Sequence, residues 1–120
     1  MRLSGEVADG TVIAEGRSPQ DLANVRQLID DGRARAGRTD SHRLTVFAGF
    51  YIGDPSALGD PPLDSPPGWA AIGVDAASVA ARLQGLIDAG ADAVILVPFG
   101  DDIAPQLHLA SAEVIPRLVR

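Results

Sequence analysis

Three short segments of this 120-residue chain carry side chains able to do chemistry: Glu15-Gly16-Arg17, Tyr51 to Asp54, and Pro98 to Asp102. Glu15 and Arg17 set opposite charges two residues apart, which suits a polar substrate and equally an exposed turn. Asp101-Asp102 has the acidity for a metal or for acid/base work. Adjacent carboxylates are commoner at a helix start, where the macrodipole favours negative charge. Tyr51 and Trp69 offer flat rings to pack against a planar ligand, and Trp69 equally suits pinning its loop to the core. His42 precedes a strand and His108 lies between Leu107 and Leu109; neither has metal-ligand spacing, and both read as structural. No metal site is expected. There is no Gly-x-Gly-x-x-Gly and no phosphate loop. The absence of Cys excludes disulfides and thiolate catalysis, and all ten basic residues being Arg excludes Schiff-base lysine chemistry.

The elements that must position these residues alternate. Leu3 and Val7 within Met1–Ala8 share a helical face and read as the last turns of a helix. Thr11–Glu15 is a short strand. Ser18-Pro19-Gln20-Asp21 opens a helix with a capping residue, a proline at the first position and an acid in the first turn. Leu22, Val25, Ile29 and Gly32 line its buried face, with Leu28 widening the stripe. Arg43–Ile52 is a core strand in which Gly49 implies a bulge or a close approach. From 53 to 73 the pattern gives way to a long Pro/Gly-rich loop. Asp75 caps a helix buried through Val79, Leu83, Leu86 and Ile87. Ala93–Pro98 is a strand apolar on both faces. A last helix runs from about Ala104 to Leu118, with Leu107, Ala110, Val114, Ile115 and Leu118 on one side, and Pro116 kinks or ends it.

Alternation of this kind predicts right-handed crossovers and a parallel sheet. The fold class is α/β, with three parallel strands and flanking helices, either part of a (β/α)8 barrel or a doubly wound sheet. In both, function collects at the carboxyl ends of strands. The net charge of −6 repels nucleic acid. No apolar run reaches the length of a membrane span and none resembles a signal peptide, so the cytoplasm is the expected location.

Five segments in order carry a family resemblance. Leu3-Ser-Gly-Glu-Val-Ala-Asp-Gly10, Gly32-Arg-Ala-Arg-Ala-Gly-Arg38, Gly73-Val-Asp-Ala-Ala-Ser-Val-Ala-Ala-Arg-Leu83, Asp88-Ala-Gly-Ala-Asp-Ala-Val-Ile-Leu-Val-Pro98 and Glu113-Val-Ile-Pro-Arg-Leu118 resemble successive motifs of the bacterial luciferase-like monooxygenase family. The resemblance implies a TIM-type barrel and an oxidoreductase using a deazaflavin, coenzyme F-420, or FMN. It implies that residues 1–120 correspond to the carboxyl-terminal part of that barrel, namely the end of its fifth helix and its final three β/α units. The family's early strands and the glycine-rich loop that helps seat the cofactor phosphate have no counterpart here.

On that resemblance Glu15, Arg17, Tyr51, Trp69, Phe99 and Asp101 would form the rim facing flavin and small-molecule substrate. The chain alone is expected to have no turnover. The expected partners are a second copy or a chain supplying the missing barrel half, because exposed strand edges invite pairing. The alternative from another class is a non-catalytic subunit or remnant associated with another chain.

Overall fold

Parallel strands need long crossovers, and this chain supplies helices for them. The computed structural model describes residues 1–60 and 70–120. Its elements run α1 (Arg2–Val7), β1 (Gly10–Ile13), α2 (Pro19–Arg35), β2 (Arg43–Ile52), a 3-10 turn (Pro55–Leu58), β3 (Ala71–Gly73), α3 (Ala76–Asp88), β4 (Ala93–Pro98) and α4 (Ile103–Leu109).

β2 is the hub of the sheet. It pairs in parallel with β1 through Arg43–Val46, with β4 through Thr45–Phe50 and with β3 through Phe50–Ile52. Because β4 overlaps both other ladders, β1 and β3 must share the opposite edge of β2. The fold is therefore α/β with a parallel sheet, as expected, but it has four described strands rather than three. β3 lies inside the stretch 53–73 that reads as structureless. Three residues are too few to show a period, and tertiary pairing with β2 makes them a strand.

Pleat alternation decides the core. Leu44, Val46, Ala48 and Phe50 of β2 point to one face and cluster with Leu22 and Ile29 of α2 and Val79, Leu83 and Leu86 of α3. Val94 and Leu96 of β4 join that side. The opposite face carries Val12, 65% exposed, and Ile95, 43% exposed, beside half-buried Phe47 and Val97. The thinnest dimension, 19 Å, equals roughly one sheet and one helix layer at about 10 Å each. The chain is a two-layer slab with one apolar sheet face uncovered among the described residues.

The helix starts follow the local chemistry. Ser18 Oγ accepts from Asp21 N at 3.1 Å and Asp21 Oδ2 accepts from Ser18 N at 3.2 Å, a complete capping box. Asp75 Oδ1 accepts from Ser78 N at 2.8 Å. α1 and α2 meet backbone to backbone: a Cβ on Gly5 would overlap the Ile29 carbonyl, and one on Gly32 the Arg2 carbonyl.

The last helix departs from expectation. α4 widens into a π-turn at Ala110–Val114 and tightens into a 3-10 turn at Ile115–Arg117. Pro116 lacks an N–H and its ring would crowd the carbonyl four residues back, which the wider turn relieves. Leu107 is 45% and Ile115 52% exposed, and Gln106 takes the buried place on the stripe with Ala110 and Val114. Gln106 replaces a strand neighbour: its Oε1 accepts from Ile52 N at 2.9 Å and its Nε2 donates to Ile52 O at 2.8 Å.

His42 is buried at the amino end of the sheet. Its Nδ1 lies 3.1 Å from Ala8 O, which can only accept, so Nδ1–H donates there. Its Nε2 lies 2.8 Å from Thr11 Oγ1, which also bonds Ser4 Oγ. The ring ties α1, β1 and β2 together, a structural role. His108 is exposed in the last turn of α4.

Candidate functional site

Because all four strands are parallel, their carboxyl ends open on one side. β1 leaves through Ala14, Glu15 and Gly16, β2 through Gly53 and Asp54, and β4 through Phe99, Gly100 and Asp101. Between these exits lies a cleft of about 860 Å3 whose walls include Glu15, Leu58, Asp60, Ile72, Phe99 and Asp101. The 3-10 turn that carries Leu58 is held by Asp54, whose Oδ1 accepts from Ser56 N at 3.0 Å. The Ser56 backbone N–H, and then its side chain, hold the Asp54 carboxyl below its ordinary value.

Phe99 is seated by an absence. Gly49 faces the same side of the sheet, and a Cβ there would overlap the Phe99 ring. The close approach expected at Gly49 is thus made by an aromatic side chain of the chain itself. Gly100 turns the backbone at φ 88°, a left-handed conformation that glycine adopts without strain. A Cβ there would lie 3.3 Å from Tyr51 Cε2 and 3.4 Å from Leu58 Cδ2, so Tyr51 packs beneath the turn and shapes the cleft from below.

The structure therefore brings Glu15, Phe99 and Asp101 to one cleft and sets Tyr51 under it. Arg17 is elsewhere: with Arg82 of α3 it lines a separate cavity of about 200 Å3. Trp69 lies outside the described residues. Asp102 occupies the N-cap position of α4 but makes no side-chain capping bond. Among the described residues no group of three or more His, Asp or Glu is gathered as a metal would need, and no helix is long and apolar enough to cross a membrane.

Leu58, Asp60, Ile72 and Arg82 are wall residues that sequence reasoning passed over. They fall in or beyond the loop, or on the exposed side of a helix, where no period marks them. Gln106 had a signal, since it stands four residues before Ala110 and eight before Val114, on the buried stripe. Electrostatically the cleft is one-sided. Its described walls carry the carboxylates of Glu15, Asp60 and Asp101 and no basic side chain.

The chain is an α/β protein with the strand arrangement of part of a TIM-type barrel and a cleft at the strand ends. No protein-family model matches it, and no curated protein matches it. Among solved structures it is similar to the coenzyme F-420-dependent tetrahydromethanopterin reductase from Methanopyrus kandleri, with a TM-score of 0.72 and 19% identity over 98% of this chain and 48% of that one. It is also similar to an F-420-dependent secondary alcohol dehydrogenase in complex with an F-420-acetone adduct, with a TM-score of 0.75 and 14% identity over 99% of this chain and 46% of that one. The chain spans about half the length of each. At these identities the likeness is one of fold.

Proposed function

We propose that this chain forms the substrate-side wall of a coenzyme F-420-dependent oxidoreductase, in which a hydride passes between the deazaflavin and a small-molecule substrate. The observation that carries the reading is the cleft at the strand ends, in a fold that matches two F-420-dependent enzymes over nearly the whole chain. Phe99, Leu58 and Ile72 offer apolar surface for a flat ring, and the Gly100 turn lets backbone approach it. Glu15 and Asp101 would accept hydrogen bonds from donor groups of the substrate and orient it. When bound, the cofactor supplies the hydride chemistry. FMN, with a similar flat ring, is the second cofactor that the walls would admit.

The described cleft walls do not fit the cofactor's phosphate, because they hold carboxylates and no base. That group would be held by a protein surface outside these walls. The same surface would cover Val12, Phe47, Ile95 and Val97 on the open sheet face, where lumen residues of a closed barrel would be packed. A second copy, or a chain carrying further β/α units, would supply it, and the chain by itself would not turn over. The open face equally supports the second reading, a non-catalytic subunit that associates with another chain through this surface.

Titration of the full chain with coenzyme F-420, followed by cofactor fluorescence and backbone NMR, tests the proposal. The expected result is binding weaker than about 0.1 mM, well short of the micromolar range that about −8 kcal/mol would give, with shifts confined to Glu15, Leu58, Ile72, Phe99 and Asp101. Micromolar binding would overturn the need for a second surface. Shifts elsewhere, or none, would overturn the assignment of the cleft.

A further inference from the structure

We propose that the outer edge of β4 pairs with the same edge of a second copy of this chain, antiparallel and about a two-fold axis. β4 is hydrogen-bonded to β2 on one side, and no other described strand pairs with it. Each of its residues is at least partly exposed. Edge strands are usually protected from pairing by a charge, a bulge or an interrupting proline. Ala93-Val-Ile-Leu-Val-Pro98 carries no charge, keeps an unbroken register with β2, and places its proline at the last position only. Beside this edge runs an apolar groove of about 570 Å3, lined by Val94 and Leu96 of β4 and by Leu107, Ala110, Ile115 and Leu118 of the chain that follows. The groove is built wholly within residues 87–120. Asp60 and Ala70, which flank residues 61–69, line other cavities.

Charge selects the occupant. The chain leaves β4 through Asp101 and Asp102 and returns beside it, so that Arg120 shares the groove with Asp92 and Ala93 at the other end of the strand. Asp92 is committed to Arg26 and to the Leu44 N–H. The edge therefore has two acids at its carboxyl end and a base at its amino end, separated by six strand residues, about 20 Å. An antiparallel two-fold sets Arg120 of each copy beside Asp101 and Asp102 of the other, while the strand residues that meet between them are uncharged. A parallel copy would set acid beside acid. The axis stands perpendicular to the sheet, so both helix layers stay on one side, where Leu107 and Ile115 of the two copies cover one another. The wall is about 20 Å long and 19 Å thick. That is roughly 400 Å2 per copy, below the size of a standard interface, so the dimer is weak and reversible. The inference uses the strand edge rather than the open sheet face, and does not depend on the cofactor assigned to the cleft.

The experiment is sedimentation velocity of the full chain from about 10 μM to about 1 mM, at about 0.15 M salt to screen the net charge of −6 on each copy. Monomer is expected to give way to dimer across this range, and amide exchange at residues 93–98 should slow as the dimer forms. Asp102→Arg and Arg120→Asp each bring like charges together at both ends of the seam and should weaken the dimer about tenfold. An equimolar mixture of the two variants brings opposite charges together at both ends, and should regain the parent's association as a heterodimer. Both positions are exposed, so each variant should melt as the parent does. A chain still monomeric at about 1 mM would overturn the proposal. So would a mixture that associates no better than either variant alone, or a dimer that leaves exchange at residues 93–98 unchanged.

Discussion

Gln106 shows how one side chain can stand in for a strand. Its carboxamide meets both the N–H and the C=O of Ile52 just where β2 outruns β4. Gln106→Leu would leave those two backbone groups unpaired in a buried place, at about 1–3 kcal/mol each. Urea denaturation should show a loss of a few kcal/mol, and amide exchange at Ile52 should accelerate. Asp75 makes a different prediction, through pH. The Ser78 side-chain and then backbone hydrogen bonds hold its carboxyl below the ordinary value of 3.8. A depressed folded value means that the stabilisation is present above the unfolded value and is lost as pH falls through the folded one. Asp75→Asn keeps a capping oxygen without the titration. Its stability should therefore match the parent near neutrality and fall less steeply below about pH 4, as read from urea midpoints measured across the acid range.

Among the elements, α1 and α2 depend on two positions without side chains. With Gly5 and Gly32 the helix backbones touch, and a methyl at either would strike a carbonyl of the other helix. Gly32→Ala should cost about 1–3 kcal/mol, although alanine is the better helix former in isolation. The helical content of a peptide spanning residues 18–37 should rise with the same substitution. The capping box of α2 was legible in Ser18-Pro19-Gln20-Asp21 because capping chemistry is local. Ser18→Ala should lower stability by about 1 kcal/mol in thermal or urea unfolding. The strand β3 was not legible, because Ala71–Gly73 has neither length nor alternation and becomes a strand by pairing with β2. The π-turn after α4 was hidden for a related reason. Pro116 marked a disturbance, but whether it kinks, stops or widens the helix depends on what the side chains before it pack against.

At the scale of the whole molecule the two faces of the sheet predict opposite responses. Val46 is 1% exposed in the core, and Val46→Ala should cost about 1–3 kcal/mol. Ile95 is 43% exposed on the open face, and Ile95→Ser should change the stability of the isolated chain by about 0.5 kcal/mol or less. If the open face receives another protein surface, the same Ile95→Ser substitution should weaken that association, measured by sedimentation as a shift toward monomer. Glu15, Phe99 and Asp101 meet in one cleft because parallel strands send all their exits to the same end. That gathering followed from the alternation of elements, without any contact being known. The separation of Arg17 from Glu15, two residues away, did not follow, because Gly16 turns the chain at φ 89°.

By itself the sequence determined what short-range physics controls: the alternation of strands and helices, the capping residues Ser18 and Asp75, the apolar stripe of α3, and the end of the sheet where chemistry would collect. It also marked Gly49 as a bulge or a place of close approach, and the structure makes it the latter. Tertiary structure decided the rest. It alone made β3 a strand, set Phe99 into the space at Gly49, placed Tyr51 under the cleft rather than in it, and brought Arg17 and Arg82 to the walls of one cavity. Those outcomes depend on pairs of residues far apart in the chain. Their contact energies appear when the crossovers have closed, so no window of local sequence contains them.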